Sequence, residues 1–232
     1  MSKGMLCAVP ARGGSKRLPR KNLRALRGKP LLAYTIEVAR ASGLFPEVYV
    51  CTDDEEIASV ARQCGALVPS LVPPDLCGDF VASHIPCQYI AKRLAEQGQR
   101  PDTLVCLQPT SPLRSIGDIS SAVCQFQQGH YDFVVSVTPL DPHDFHWAVV
   151  PGENGYWRMF FQSQYMKERP LLPPVYRPNG SIKIARLQAL AQTGHFFGER
   201  MGVTETPANR SVHVAEEFDL RLCEMLLAEL AR

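Results

Sequence analysis

Five cations crowd into fifteen residues near the N-terminus. The stretch AVPARGGSKRLPRKN, residues 8 to 22, holds Arg12, Lys16, Arg17, Arg20 and Lys21 and no acid. Gly13 and Gly14 sit among them, followed by Ser15, and Asn22 closes the stretch. A glycine turn after a buried strand lets several backbone N–H groups face one anion. Arg12, Lys16 and Lys21 add counter-charge, and Ser15 adds a hydroxyl donor. Polyphosphate is the guest that suits such a loop; a solvated basic turn is the competing reading. Neither GxxxxGK[ST] nor GxGxxG occurs, which argues against ordinary P-loop NTPases and dinucleotide enzymes. Two further polar stretches, CTDDE (51–55) and LQPTSPLR (107–114), also follow apolar runs.

The elements around these stretches alternate. MLCAVP reads as a strand buried on both faces, TLVCLQP as another buried strand, EVYVCT and DFVVSVTP as further strands, and ALVPS as a short one. PLLAYTIEVARASG, DDEEIASVARQCGA, SHIPCQYIAKRLAEQG and SIGDISSAVCQFQQG read as helices between them. This order predicts an α/β protein with a doubly wound, mostly parallel sheet. Ligands bind beyond the C-terminal strand ends of such sheets, so the three polar stretches should converge. Residues 139–178 break the pattern with seven prolines, both tryptophans and Phe160-Phe161. This Pro- and aromatic-rich excursion should carry a hairpin near WAVVPGENGYWRMF and either cover the site or pack on another subunit. The α/β core is then 1–138 and 179–232, with 139–178 as the arm. After the return strand GSIKIA come a helix RLQALAQTG, a short strand MGVTET, and a last helix. There Phe218, Leu222, Leu226 and Leu230, spaced four apart, predict one apolar stripe.

Charge supports a local purpose for the basic loop. No Asp or Glu precedes Glu37, yet nine of the 25 Lys and Arg do, in a chain of net charge only +2. A nucleic-acid-binding domain more often spreads positive charge over a whole face. The eight cysteines show neither CxxC nor zinc-site spacing, no signal peptide is evident, and no apolar run is long enough for a membrane span. A reducing cytoplasm is the expectation, with no membrane and no nucleic-acid partner.

The opening AVPARGGSKRLPRKNLRALRGKPLLAYTIEVA resembles the cytidylyltransferases that make CMP-activated acidic sugars, the CMP-acylneuraminate (CMP-sialic acid) synthetase family. Relatives acting on legionaminic and pseudaminic acid are included. VCTDDEEIA, LQPTSPLR, YRPNGSIKI and SVHVAEEFDL follow in family order, so the resemblance spans essentially the whole chain. It implies a Rossmann-like nucleotidyltransferase fold, CTP and an acidic nonulosonate as substrates, Mg2+ or Mn2+, and a homodimer joined through the arm. It places Arg12, Gly13, Gly14, Ser15, Lys16, Lys21 and Asn22 at the nucleotide, with Arg12, Lys16 and Lys21 stabilising charge in catalysis. Asp79 and Ser83 resemble a nucleotide-contacting segment, with two extra residues between them. Gln108, Arg169, Arg177, Asn179, Gly180, Phe196 and Phe197 fall at the sugar. For Phe196-Phe197, simple core packing is the alternative; for Arg114, a surface charge at a helix start.

Three departures stand out. The family's D-x-D metal pair is here His213-Val214-Ala215, and a hard ion such as Mg2+ prefers oxygen ligands. His213 is then either a metal ligand or a polar residue at a strand end. His146 or Trp147 falls where sialic acid enzymes tend to have a lysine, and Lys183 replaces an aromatic. A remodelled sugar pocket is expected. The alternative function is a catalytically weak or altered nucleotidyltransferase homologue that binds nucleotide or a different sugar.

Overall fold

The computed structural model describes residues 4–161 and 167–230. Among the described residues, ten strands and seven α-helices follow in the order β1 (Met5–Pro10), β2 (Ala25–Leu26), β3 (Lys29–Pro30), α1 (Leu31–Ala41), β4 (Val48–Cys51), α2 (Glu55–Gln63), α3 (His84–Glu96), β5 (Thr103–Leu107) and α4 (Ile116–Gln128). Then come β6 (Phe133–Leu140), α5 (Pro142–His146), β7 (Val149–Pro151), β8 (Trp157–Met159), β9 (Val175–Arg186), α6 (Leu187–Thr193), β10 (Met201–Glu205) and α7 (Glu217–Leu230).

Six strands form one sheet in the order β10-β6-β9-β5-β1-β4. β1 runs parallel to β4 and β5, and β10 parallel to β6. β9 alone is antiparallel to its neighbours β5 and β6. It arrives from the arm rather than through a crossover helix, and a direct return reverses strand direction.

Alternate residues of each strand serve opposite faces. Cys7, Val9, Val105, Leu107 and Ile184 pack under α1, α2 and α4. Leu6, Ala8, Leu104, Cys106 and Ala185 pack under α3 and α6. Burial on both faces is why these strands read as unbroken apolar runs. The helix starts are chemically marked. Asp54 accepts from the Ile57 N–H ahead of α2, and Ser115 and Asp118 form a capping box on α4.

Three expectations change in detail. ALVPS forms only a single bridge, Tyr49 to Leu67. The strands β6 and β9 extend into the 139–178 stretch, which also folds a short helix, α5, behind Pro142. The expected hairpin is present as β7 and β8. On α7 the stripe is rotated: Phe218 is 68% exposed, while Leu220 and Cys223 are buried against Leu18, Leu26, Leu31 and Leu113. Leu226 and Leu227 back them, so the inward face follows the three- and four-residue alternation rather than fours alone.

Candidate active site

The ends of β1, β4 and β5 open into one cavity of about 270 Å³, with Arg12, Ser15, Lys21, Gln108, Thr110 and His213 on its walls. The loop after β1 is shaped by its own polar groups. Asn22 is buried, and its side-chain Nδ2 donates to the Arg12 carbonyl at 2.9 Å. The Gly13 N–H donates to Asp53 Oδ1 at 2.8 Å. A Cβ on Gly13 would stand 2.7 Å from an Asp54 carboxylate oxygen, so the close approach requires glycine. Gly14 lies on the exposed outer side of the loop.

The cations are not equivalent. Arg12 and Lys16 both reach Asp79, at 2.9 and 2.5 Å. Arg20 is committed elsewhere, forking onto Asp54 and Glu56 at the start of α2. Lys21 is half-buried, and its Nζ donates to the Val214 carbonyl at 3.1 Å. Burial, then the nearby Arg17 and Arg12, lower its pKa. Asp53 was not singled out from the sequence; its signal was the doubled acid following β4.

The opposite wall is built from β5, β9 and the segment before α7. Gln108 Nε2 donates to Ser83 Oγ at 3.3 Å, linking a residue expected at the sugar with one expected at the nucleotide. Gly180 has φ +74°, and a Cβ there would lie 3.2 Å from Gln108 Oε1 and 3.9 Å from His213 Nδ1. Thr110 Oγ1 lies 3.2 Å from His213 Nδ1. Thr110 too was missed from sequence, although it sits inside the PTSP stretch. Burial, then the Lys21 ammonium, push His213 down to about 4, so its ring is neutral at physiological pH.

Other expected sugar residues are placed differently. Asn179 is buried, and its amide is engaged by Ser136, Ser181, Thr206 and Ser211. It shapes the Gly180 turn from behind rather than facing the cavity. Arg177 is exposed on β9. Phe196 is core, edge-on to His84 at 5.8 Å with Lys183 over its ring, and Phe197 is on the surface. Neither lines the cavity. The side chain of Arg169 lies outside the described residues. Arg114 is not a surface charge at a helix start: it is 4% exposed and bonded to Ser181, Thr35 and the Gln108 carbonyl.

The donor set does not fit a protein-held magnesium ion. Ala215 offers no ligand, and His213 is a nitrogen donor beside an ammonium group. Asp219 accepts from the Ala215 and Glu216 N–H groups as a cap on α7, and Glu217 pairs with Arg24. Among the described residues no three His, Cys, Asp or Glu side chains form a cluster able to hold a metal.

Comparison with known proteins decides the family. The model of the cytidylyltransferase family matches residues 6–144, which covers most of β1 through most of α5 and so the whole glycine loop after β1 and the Gln108 stretch. The chain belongs to the cytidylyltransferase family. It is 33% identical over 221 residues to a pseudaminic acid cytidylyltransferase of Campylobacter jejuni, covering 95% of each chain. It is 34% identical over 235 residues to the CMP-N,N'-diacetyllegionaminic acid synthase of Legionella pneumophila, covering 96% of each. Its fold matches that of a CMP:2-keto-3-deoxy-manno-octonic acid synthetase complexed with CTP, with a TM-score of 0.74 at 16% identity, over 97% of this chain and 99% of the other. The protein is a nucleotidyltransferase enzyme by this membership. Its sheet is the mixed, mostly parallel one of that fold.

Proposed function

We propose that this cytidylyltransferase transfers CMP from CTP to the anomeric hydroxyl of an acidic nonulosonate sugar. In that reaction the sugar oxygen forms a bond to the α-phosphorus, the α–β phosphoanhydride bond breaks, and pyrophosphate leaves as the hydroxyl proton is lost. The observation that carries the reading is the pairing of two walls in one cavity. Arg12, Ser15 and Lys21 stand on one side, and Gln108, Thr110 and the Gly180 turn on the other.

The residues divide the work by type. Arg12 and Lys16 take the phosphates that leave as pyrophosphate, exchanging Asp79 for substrate oxygens. Lys21 lies deeper and neutralises charge that grows on the α-phosphate, where fixed donors contribute most. Gln108, held by Ser83, orients the sugar against the nucleotide, so positioning carries much of the rate. Metal dependence enters the proposal in one respect: Mg2+ or Mn2+ arrives as a complex with CTP, because among the described residues no cluster of His, Cys, Asp or Glu could hold the ion itself.

The arm is proposed to join two copies. Its hairpin leaves Tyr156 76%, Trp157 67% and Phe160 55% exposed, the kind of surface that marks an interface. Light scattering at micromolar concentration should give a dimer; a clean monomer rejects this part. The deciding experiment for the reaction is pyrophosphate release with CTP and other nucleotides against a panel of acidic sugars. Release only with CTP plus a nonulosonate is expected. CTP binding without turnover on any of them would favour the weak-homologue reading, which His213 and Ala215 specifically raise.

A further inference from the structure

We propose that Arg114 is a positioning residue, whose buried guanidinium fixes the split between β5 and β9 and thereby sets the Gln108 amide and the Gly180 turn against substrate. What that wall recognises rests on the proposed function; the split itself does not.

β5 and β9 pair antiparallel up to Leu107 opposite Ile182. One residue further, at Gln108 and Ser181, the ladder stops. Both carbonyls at the parting are taken by one nitrogen of Arg114, with Nη2 at 2.8 Å from Gln108 O and 2.7 Å from Ser181 O. Nε donates to Ser181 Oγ at 3.0 Å, and Nη1 to Thr35 Oγ1 on α1 at 3.2 Å. One side chain therefore ties together the tip of β5, the turn of β9 and the first helix.

Without those bonds the Ser181 carbonyl would lose its Arg114 donor, and the Gln108 carbonyl would be left to the Ser111 N–H at 3.3 Å and the Thr35 hydroxyl at 3.4 Å, both longer than the bond it accepts from Arg114. The job requires donors to four acceptors from one planar head. Arginine has five N–H groups in a fork; lysine has three on a single flexible nitrogen. Burial lowers the Arg114 pKa to about 10, which leaves it charged near neutrality. Among the described residues no carboxylate forms an ion pair with it, and its neighbour Asp118 is taken by Arg210 and Ser115. A buried charge with only neutral partners is costly. A residue needed only to fill space at that point would be apolar.

The parting has a direct consequence for the wall. Beyond it, Gly180 in its left-handed turn comes so close to Gln108 Oε1 that a Cβ would stand only 3.2 Å away. Small shifts of either tip would move the amide, and misplacement of a positioning group by about 1 Å is enough to cost a large factor in rate.

The test uses the full-length enzyme with Arg114→Lys, which keeps the charge and loses the fork. Backbone hydrogen exchange, CTP affinity and sugar kinetics at saturating CTP are measured together. Faster exchange confined to residues 107–111 and 179–183 is expected, with CTP affinity within about twofold and a sugar KM raised about tenfold or more. If the wild-type enzyme turns over no nonulosonate, the sugar assignment fails, and the exchange pattern with CTP affinity still decides the role of Arg114. Wild-type exchange at both tips would overturn the proposal. So would a uniform loss of protection across the sheet with parallel losses in CTP and sugar binding, which is a structural role only. If Arg114→Lys does not fold, Ser181→Ala and Thr35→Val each remove one acceptor hydroxyl and are judged by the same pattern.

Discussion

On the β1 side of the cavity, cations meet carboxylates: Arg12 and Lys16 hold Asp79, and Arg20 holds Asp54 and Glu56. On the β5–β9 side, a buried arginine is hydrogen-bonded to neutral oxygens, and His213 is kept uncharged. The first arrangement is partly exposed and exchangeable. In the proposed reaction, a phosphate would take over from Asp79 without opening the core. The second is fixed by burial, and its polar groups are aimed before any ligand arrives. A nucleotidyltransferase needs both kinds of wall, because phosphate must be neutralised while the acceptor must be held still.

The largest effect should come from the deepest cation of the first wall. Lys21→Met should lower kcat about a hundredfold, as loss of one preorganised charge stabiliser does. Arg12→Ala should cost about tenfold in kcat/KM for CTP, equivalent to ~1.4 kcal/mol. Steady-state kinetics with CTP varied at saturating sugar checks both. Equal and small effects would mean that depth in the cavity does not matter, and the contrast between the walls would collapse.

The metal pair offers the next test. His213→Asp with Ala215→Asp puts two carboxylates at the segment that Lys21 touches through the Val214 carbonyl. Half-maximal activity should then need several-fold less magnesium, on the order of 1 kcal/mol of added binding per charge-assisted contact. An unchanged requirement in a fully active parent would mean that other oxygens already hold the ion. Titration of the magnesium requirement at saturating CTP and sugar reads the result.

How far the sequence carried differs between the same two regions. The loop after β1 was legible as a structural feature because its signal is local: a buried strand, two glycines and cations within a few residues. The alternation of apolar runs likewise predicted the sheet and its helices. The far wall was less legible because its contacts join residues tens of positions apart. Nothing near Arg114 in the chain says that Ser181 will meet it 67 residues on, or that a charge at a helix start will be buried. Asn179 read as a sugar contact from its motif, yet its amide serves Thr206 and Ser211, partners that no short window contains. The rotated stripe on α7 failed for a simpler reason. A four-residue spacing names one face of a helix, and only the neighbouring Leu26, Leu31 and Leu113 decide which face turns inward.

Acid should expose the neutral wall. His213 has a folded pKa of about 4, set first by burial and then by Lys21. The ordinary value for the unfolded chain is about 6.5. Between those limits the unfolded state binds a proton that the folded state does not, so stability falls as pH falls from about 6.5 toward 4. His84 is shifted in the same direction by its own burial, so the readout is a difference. His213→Asn should flatten the decline of Tm with pH over that window. An identical decline in the variant would place the acid sensitivity elsewhere.

The smallest predicted effect probes the exchangeable wall with the least ambiguity. Asp79 holds Arg12 and Lys16, and those two bonds lower the pKa of its carboxyl, the Lys16 contact most. An incoming phosphate must therefore displace an anion already in place. Pyrophosphate carries the charge of the leaving group but no base, so it reports on this exchange alone. Asp79→Asn keeps the side chain's shape and removes its charge. Pyrophosphate should then bind about threefold more tightly at low salt, a size set by solvent-exposed ion pairs. The gain should shrink as salt shortens the screening length to about 3 Å near 1 M. CTP itself is expected to gain less than pyrophosphate if Asp79 also touches the nucleotide, as the family resemblance implies. Calorimetry with both ligands separates these contributions. Weaker pyrophosphate binding in the variant would mean that Asp79 holds the two cations ready for phosphate rather than competing with it, and the wall would then be as preorganised as the one opposite.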